Sequence, residues 1–329
     1  MQIPVTSGGK LNLNERAGRL CQRLIDEAEV TRVKLQTSTT GARLIDCGID
    51  VPGGLEAGRR MAQICLADLG WVDFAPPRAG LDAAASVMVM TDHPVAACMA
   101  SQYAGWQVAE GKYFAMGSGP MRAAAGKEAL FEKIGYLEQA SAAVGVLETR
   151  QFPPDAVCLK LAAACHVDPQ DLTLLLAPTA SVAGTVQIVA RSVETALHKL
   201  FELGFDLRRV ASAVGCAPLP PASGDDLTAI GRTNDAILYG GEVTLWVHGD
   251  DASLQTVGPR VPSSGSADHG QPFAAIFKRY DHDFYKIDPH LFSPAVVTFT
   301  NLDTGSSFRF GQLLPSVIND SFAVRAPTS

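Results

Sequence analysis

Apolar residues near the start of the chain recur at helical spacing: Leu13, Ala17, Leu20, Cys21, Leu24, Ile25 and Ala28 share one face of a predicted helix. Asn12 and Glu15 stand at its head with capping-box spacing, Asn replacing the usual Ser or Thr. The period then changes. TRVKLQTS, a Thr40-Gly41 turn and ARLIDCGI read as a β-rich piece closed by Gly53-Gly54, and residues 55–69 return to helix. Further strands are predicted at 85–90, 106–109, 113–116, 142–147, 172–176, 243–247 and 296–300. Helical patterns fall between several of them, at 94–103, 120–131, 155–165, 182–202 and 225–238. Alternating elements with hairpins predict an α/β (α+β) fold with mixed sheets.

Between Asp171 and Arg191 run 19 residues, LTLLLAPTASVAGTVQIVA, without a charge. A membrane span needs roughly 20 apolar residues, but Pro178, Thr179, Ser181, Gly184, Thr185 and Gln187 interrupt this run. The pattern predicts a buried strand over 172–177, a polar turn and a helix beginning near Val182, so no membrane span is expected. FPP at 152–154 and APLPPASG at 217–224 are proline-rich junctions, and 257–272 has the composition of a long surface loop. A lobe boundary is placed at Phe152, giving an N-terminal lobe (1–151) and a C-terminal lobe (152–329) that are expected to interleave.

Composition narrows the class. The 329 residues are 47% hydrophobic and 19% charged, which suits a chain that builds its core without disulfides or metal. Lys and Arg total 27 against 34 Asp and Glu, a net charge of −7. That argues against non-specific nucleic-acid binding and leaves open a small anionic ligand in a local basic pocket. Cysteines stand at 21, 47, 65, 98, 158, 165 and 216, odd in number and never spaced C-x-x-C. Neither a disulfide framework nor a zinc knuckle fits. MQIPVTSGGKLNLNE has no basic region ahead of an apolar run, so a reduced, cytoplasmic chain is expected.

Several segments carry candidate chemistry. KYFAMGSGPMRAAAGK (112–127) reads as a strand, a glycine turn and a helix opening at Pro120. Backbone N–H groups of Gly117, Ser118 and Gly119 suit an anion or carbonyl oxygen there, with Arg122 or Lys127 adding charge. The spacing is no dinucleotide or Walker motif, and an ordinary strand-to-helix turn fits equally. In APTASVAGTVQIVARSVETALHKL (177–200), Thr179 and Ser181 occupy the turn. Gln187, Arg191, Glu194 and His198 follow at intervals of four, three and four, on one helix face. A Glu beside an Arg stays ionised and can deprotonate a water. On pattern alone this face is an exposed, salt-bridged one; its place after a strand end and polar turn points instead to a ligand cleft. GRTNDAILYGGEV (231–243) groups Asn234 and Asp235 with Arg232 and Thr233, as a helix cap or as a polar cluster for a heterocycle. His93, His282 and His290 lack metal-site spacing, and Ser118 has no assignable base.

Taken together, DCGIDVPGG (46–54), TDHPVAACMASQYAGWQ (91–107), KYFAMGSGP (112–120), APTASVAGTVQIVARSVETALHK (177–199), GRTNDAILYGGEV (231–243) and DFYKIDPHLFSPA (283–295) resemble the methenyltetrahydromethanopterin cyclohydrolase family. The resemblance implies a two-lobed subunit with the pterin between its lobes, a homotrimer, and no metal or prosthetic group. It implies reversible hydrolysis of a methenyl bridge to a 5-formyl compound, with the family's catalytic Arg and Glu falling on Arg191 and Glu194. Substrate contacts are expected from Gly117, Ser118, Gly119, Arg122, Thr179, Ser181, Gln187, Asn234, Asp235 and Tyr103. Archaeal members carry lysine where this chain has Tyr103, which implies the bacterial branch, formaldehyde-oxidising one-carbon metabolism, and a carrier that is either phosphorylated or dephospho. Competing readings are another enzyme on the same carrier or a folate, and a non-catalytic pterin-binding protein.

Overall fold

Leu172–Ala177, LTLLLA, is buried at all six positions, as a strand covered on both faces must be. It lies within one of two six-stranded sheets in the computed structural model, which describes residues 11–322. In chain order the strands are β1 (Lys34–Thr37), β2 (Arg43–Asp46), β3 (Trp71–Ala75), β4 (Ser86–Thr91), β5 (Trp106–Glu110) and β6 (Tyr113–Ser118). There follow β7 (Ala143–Glu148), β8 (Leu172–Ala177), β9 (Val210–Pro218), β10 (Glu242–Val247), β11 (Val296–Asn301) and β12 (Ser307–Gly311). The first sheet has the order β1-β2-β8-β7-β6-β5 and is parallel where β2, β8 and β7 meet. The second runs β12-β11-β10-β9-β4-β3, parallel between β10 and β11. Both sheets are mixed, as the alternation of elements predicts, and both draw strands from either side of Phe152.

Helices α1 (Leu13–Asp26), α2 (Leu55–Cys65), α3 (Asp155–Ala164), α4 (Val182–Val189), α5 (Ser192–Glu202) and α6 (Asp226–Gly240) cover these sheets. On one face of the first sheet, Ala17, Cys21 and Leu24 of α1 and Ala57, Met61 and Ile64 of α2 pack with Ile45, Val144, Val146 and Leu175. On the other, Val157, Cys158 and Leu161 of α3 pack with Leu147, Leu174 and Leu176. The second sheet buries Val87, Val89, Ala213, Leu245, Val297 and Phe299 together with Val193, Leu197 and Leu200 of α5. Each large aliphatic side chain so buried contributes about 1.5–3 kcal/mol. The segment α4–α5 bridges the two layers: Ala183 belongs to a core of the first sheet, Val186, Val189 and Val193 to that of the second.

The uncharged run divides as its pattern predicts, into β8, a turn and a helix from Val182. The single helix expected over 182–202 does not form; it breaks between α4 and α5 at Ala190–Arg191. The cause is tertiary. Gln102 donates from Nε2 to the Ala190 carbonyl at 3.0 Å, taking an acceptor that a continuous helix offers to the amide four residues on. Gln102 ends a π-helix, Val95–Gln102, where an ordinary helix is expected; such wide turns gather at functional sites. Residues 120–131 form two short helices, Met121–Ala125 and Ala129–Ile134, rather than one.

Strand β9, VASAVGCAP, escapes the pattern because small residues stand where bulky β-formers are expected. Their smallness has a use: a Cβ on Gly215 would stand 2.4 Å from Ser192 Oγ, so glycine lets the start of α5 lie on the sheet. Asn12 does not cap α1 with its side chain; its backbone is left-handed and Nδ2 donates to Glu15 Oε2 at 3.1 Å. Nor is 257–272 simply a surface loop, because Val261 and Ser263 are fully buried and Ser263 Oγ donates to the Leu238 carbonyl.

Helix α2 crosses α4 at Gly58, where a Cβ would stand 2.7 Å from Val186 Cβ and 2.9 Å from the Ala183 carbonyl oxygen. Alanine stabilises a helix interior over glycine by about 1 kcal/mol, but overpacking here costs about 1–3 kcal/mol. Gly58→Ala is expected to lower the thermal unfolding midpoint; a raised midpoint would mean that the two helices part freely.

Candidate active site

The break between α4 and α5 places Arg191 between the two sheets, 6% exposed. A guanidinium removed from water needs acceptors on its fork; two come from distant parts of the chain and one from the preceding helical turn. Nη1 donates to the Gln102 carbonyl at the end of the π-helix. Nη2 donates to Ser118 Oγ at the end of β6 and to Gln187 Oε1 on α4, both at 3.0 Å. Cys65 Sγ, at the end of α2, stands 3.9 Å from Nη2 and 3.4 Å from Ser118 Oγ. Burial pushes this thiol up, so it stays protonated despite the nearby positive charge.

Glu194 follows in the first turn of α5, only 4% exposed. Among the described residues no hydrogen bond or ion pair reaches its carboxylate, and Arg191 and Arg122 act on it only through space. Burial therefore prevails over those charges and raises its pKa to about 7. This alters the expectation from sequence: Arg191 does not hold Glu194 fully ionised, and near neutrality the carboxyl exchanges its proton readily. The face carrying Gln187, Arg191 and Glu194 is buried, and the exposed, salt-bridged reading of it fails.

One turn further along α5, His198 stacks on Tyr103 with ring centroids 4.7 Å apart. The two border a pocket of about 340 Å³ that also involves Glu128, Lys133, Phe201 and Glu202. Burial, with the Glu194 charge adding to it, pushes the Tyr103 hydroxyl up to about 12, so it stays a neutral donor. Burial likewise lowers His198, leaving the imidazole neutral at pH 7. Arg122 is wholly buried and lies 4.9 Å from the Tyr103 ring centroid.

On the other side of Arg191, β7 ends at Glu148. Thr179 Oγ1 donates to Glu148 Oε1 at 3.1 Å. Burial raises the Glu148 carboxyl and Arg191 pulls it back.

Ser118, Gln187, Arg191 and Glu194 thus meet, with Tyr103 on one flank and Thr179 on the other. Other expected contacts have different engagements. The Gly119 N–H donates to the Ser101 carbonyl and Gly117 is paired inside the ladder, so these amides are taken up by the fold. Ser181 caps α4 by accepting from the Gly184 N–H at 3.0 Å. Arg122 donates to Glu128 at 2.8 Å and to the carbonyls of Met99 and Ser101. Asn234 bonds back to the Ile230 carbonyl, and Asp235 accepts from the Phe273 N–H at 2.7 Å, as a cap. Sequence reasoning missed Cys65, Gln102 and Glu148. Gln102 has a signal in the SQYAGW segment, and Glu148 is a charge closing an apolar strand; Cys65 has none.

The mixed α/β scaffold thus holds a near-neutral carboxyl one turn from a fixed guanidinium, an arrangement that can take a proton from a water, as a hydrolase requires. The chain matches the family model described as Cyclohydrolase (MCH) over residues 12–322, and it belongs to that family. It is 50% identical over 295 residues to the methenyltetrahydromethanopterin cyclohydrolase of Rhodopirellula baltica, covering 88% of this chain and 89% of the relative. The protein of that name from Xanthobacter autotrophicus is 48% identical, covering 98% and 96%, and that from Methanococcoides burtonii is 40% identical, covering 96% and 99%.

The Glu194 shift has a consequence for stability. Its pKa rises from 4.5 to about 7 on folding, so the native state holds this proton more tightly than the unfolded chain. The stability linked to it is complete below about pH 4.5 and is lost as pH rises through about 7. Relative to wild type, Glu194→Gln should therefore become more stable above pH 7, with the difference vanishing at acid pH. Unfolding midpoints that differ equally at every pH would remove the buried-charge account.

Proposed function

We propose that this chain reversibly hydrolyses 5,10-methenyltetrahydromethanopterin, or its dephospho form, to the 5-formyl compound. The observation that carries the reading is the buried, hydrogen-bond-free Glu194 carboxyl beside Arg191, in a chain of the cyclohydrolase family. A methenyl bridge is an amidinium-like cation and is already electrophilic. Its hydrolysis needs a placed water, a base, and control over which C–N bond opens. Glu194 accepts a proton as the water oxygen bonds to the methenyl carbon. The adduct then collapses: the bond from carbon to N10 breaks, N10 takes a proton, and the hydroxyl proton leaves as the formyl group forms on N5. One proton is released overall.

Arg191 positions rather than reacts, fixed by Gln102, Ser118 and Gln187. With both carboxyls ionised, Glu148 and Glu194 against this one guanidinium leave the centre anionic, which suits a cationic substrate. Tyr103, Gln187 and Thr179 serve as substrate contacts in this proposal, and Ser118 acts through Arg191. The reaction so written draws on no metal or prosthetic group, because the substrate supplies its own electrophile. The same reading makes the chain a cytoplasmic homotrimer working in the direction of formaldehyde oxidation, with the carrier bound between its two lobes.

Glu194→Gln is expected to slow decay of the methenyl absorbance by about 10²–10⁴-fold with little change in binding. In wild type, kcat/KM should climb with pH through an acid limb near 7, where Glu194 ionises, and that limb should be absent from the variant. Wild-type turnover by Glu194→Gln would end the base assignment. Offering the methenyl forms of tetrahydromethanopterin and of folate separately settles the carrier.

A further inference from the structure

Glu148 takes no proton in the chemistry above, yet its setting is unusual. Alternation along β7 puts it on the sheet face of Val144 and Val146. Val146 is in register with Ser118, the hydroxyl that holds Arg191. The carboxylate therefore shares the face on which Arg191 sits. It is poorly supplied: Thr179 Oγ1 is its one hydrogen bond among the described residues, where an ionised carboxylate offers about four lone-pair sites. The neighbouring Asp226 is better served, by Arg150 and the Ala180 N–H.

The opposite deficit lies close by. Among the described residues, Arg191 Nε and Gln187 Nε2 are buried donors that meet no acceptor; Arg191 and Gln187 are 6% and 1% exposed. Leaving buried polar groups unpaired costs about 1–3 kcal/mol each. A half-buried acceptor with room for further donors, beside buried donors short of acceptors, is completed by a ligand edge that carries both.

We propose that Glu148 is the specificity-determining residue for the 2-amino-4-oxopyrimidine edge of the substrate pterin. That edge presents N3–H and the 2-amino group side by side, much as a guanidinium does, and a carboxylate accepts both at once. The adjacent 4-oxo group is an acceptor for the free donors of Gln187 and Arg191. The inference rests on the proposed function, since it requires a pterin carrier. It also separates labour: Glu194 faces the one-carbon centre, and Glu148 identifies the ring system that delivers it.

Glu148→Gln keeps the shape but turns a donor toward the pterin amino group. KM for the methenyl carrier should rise by about 10–100-fold while kcat stays within about threefold. Were Glu148 merely a support for Arg191, kcat would fall instead. Thr179→Val removes only the hydroxyl that orients the carboxylate; it should raise KM severalfold, and it carries the test should the first variant not fold. As a second readout, a small tetrahydropterin should inhibit wild-type hydrolysis at least tenfold better than its 2-deamino analogue, and Glu148→Gln should lose that preference. Wild-type turnover combined with an unchanged KM, a loss of kcat alone, or retained preference for the 2-amino fragment overturns this inference and leaves the function intact. A wild-type protein unable to hydrolyse the methenyl pterin overturns both.

Discussion

The burial of one guanidinium organises the centre of this molecule. Arg191 lies between two sheets, and an unpaired charge there would be strongly destabilising. Its acceptors belong to a π-helix, a strand end and the preceding helix. Satisfying Arg191 therefore fixes those three elements relative to one another. The helix break that makes room for it is sustained by Gln102, whose amide holds the Ala190 carbonyl while its own carbonyl receives Arg191. One residue thus opens the helix and binds the side chain that the opening turns inward.

That arrangement also sets the protonation of Glu194. A direct ion pair with Arg191 would hold a carboxylate well below neutrality. Here the interaction is through space, and desolvation prevails. The second buried arginine, Arg122, is occupied separately, by Glu128 and two backbone carbonyls, so it adds positive potential without pairing with Glu194. Near neutrality, such a carboxyl can both accept and return a proton, as a reversible hydrolysis requires.

Much of the fold was legible because buried strands and amphipathic helices leave strong periodic signals. LTLLLA in β8 is an example, and the strand–turn–helix sequence that follows it formed as its pattern predicts. Strand β9 was illegible for the reason that makes it useful: Gly215 and its small neighbours admit α5, and small residues carry little strand signal. In the glycine turn, which the sequence marks as a candidate ligand loop, backbone pairing claims the Gly119 amide and Ser118 bonds Arg191. Asp235 likewise accepts from the Phe273 amide at the start of a neighbouring helix, a partner more than thirty residues away that no local pattern reveals.

By itself the sequence determined the class of fold, the alternation of elements, the spacing that sets Arg191 and Glu194 one turn apart, and the family to which those segments belong. Those properties are local or sequential: a period, a spacing, an order of motifs. Tertiary structure alone decided that the Gln187–Arg191–Glu194 face is buried, that the helix bearing it breaks, and that Glu148 and Cys65 stand beside Arg191. Each depends on what another part of the chain places nearby, and a carboxyl's proton affinity follows from its surroundings, which sequence spacing does not encode.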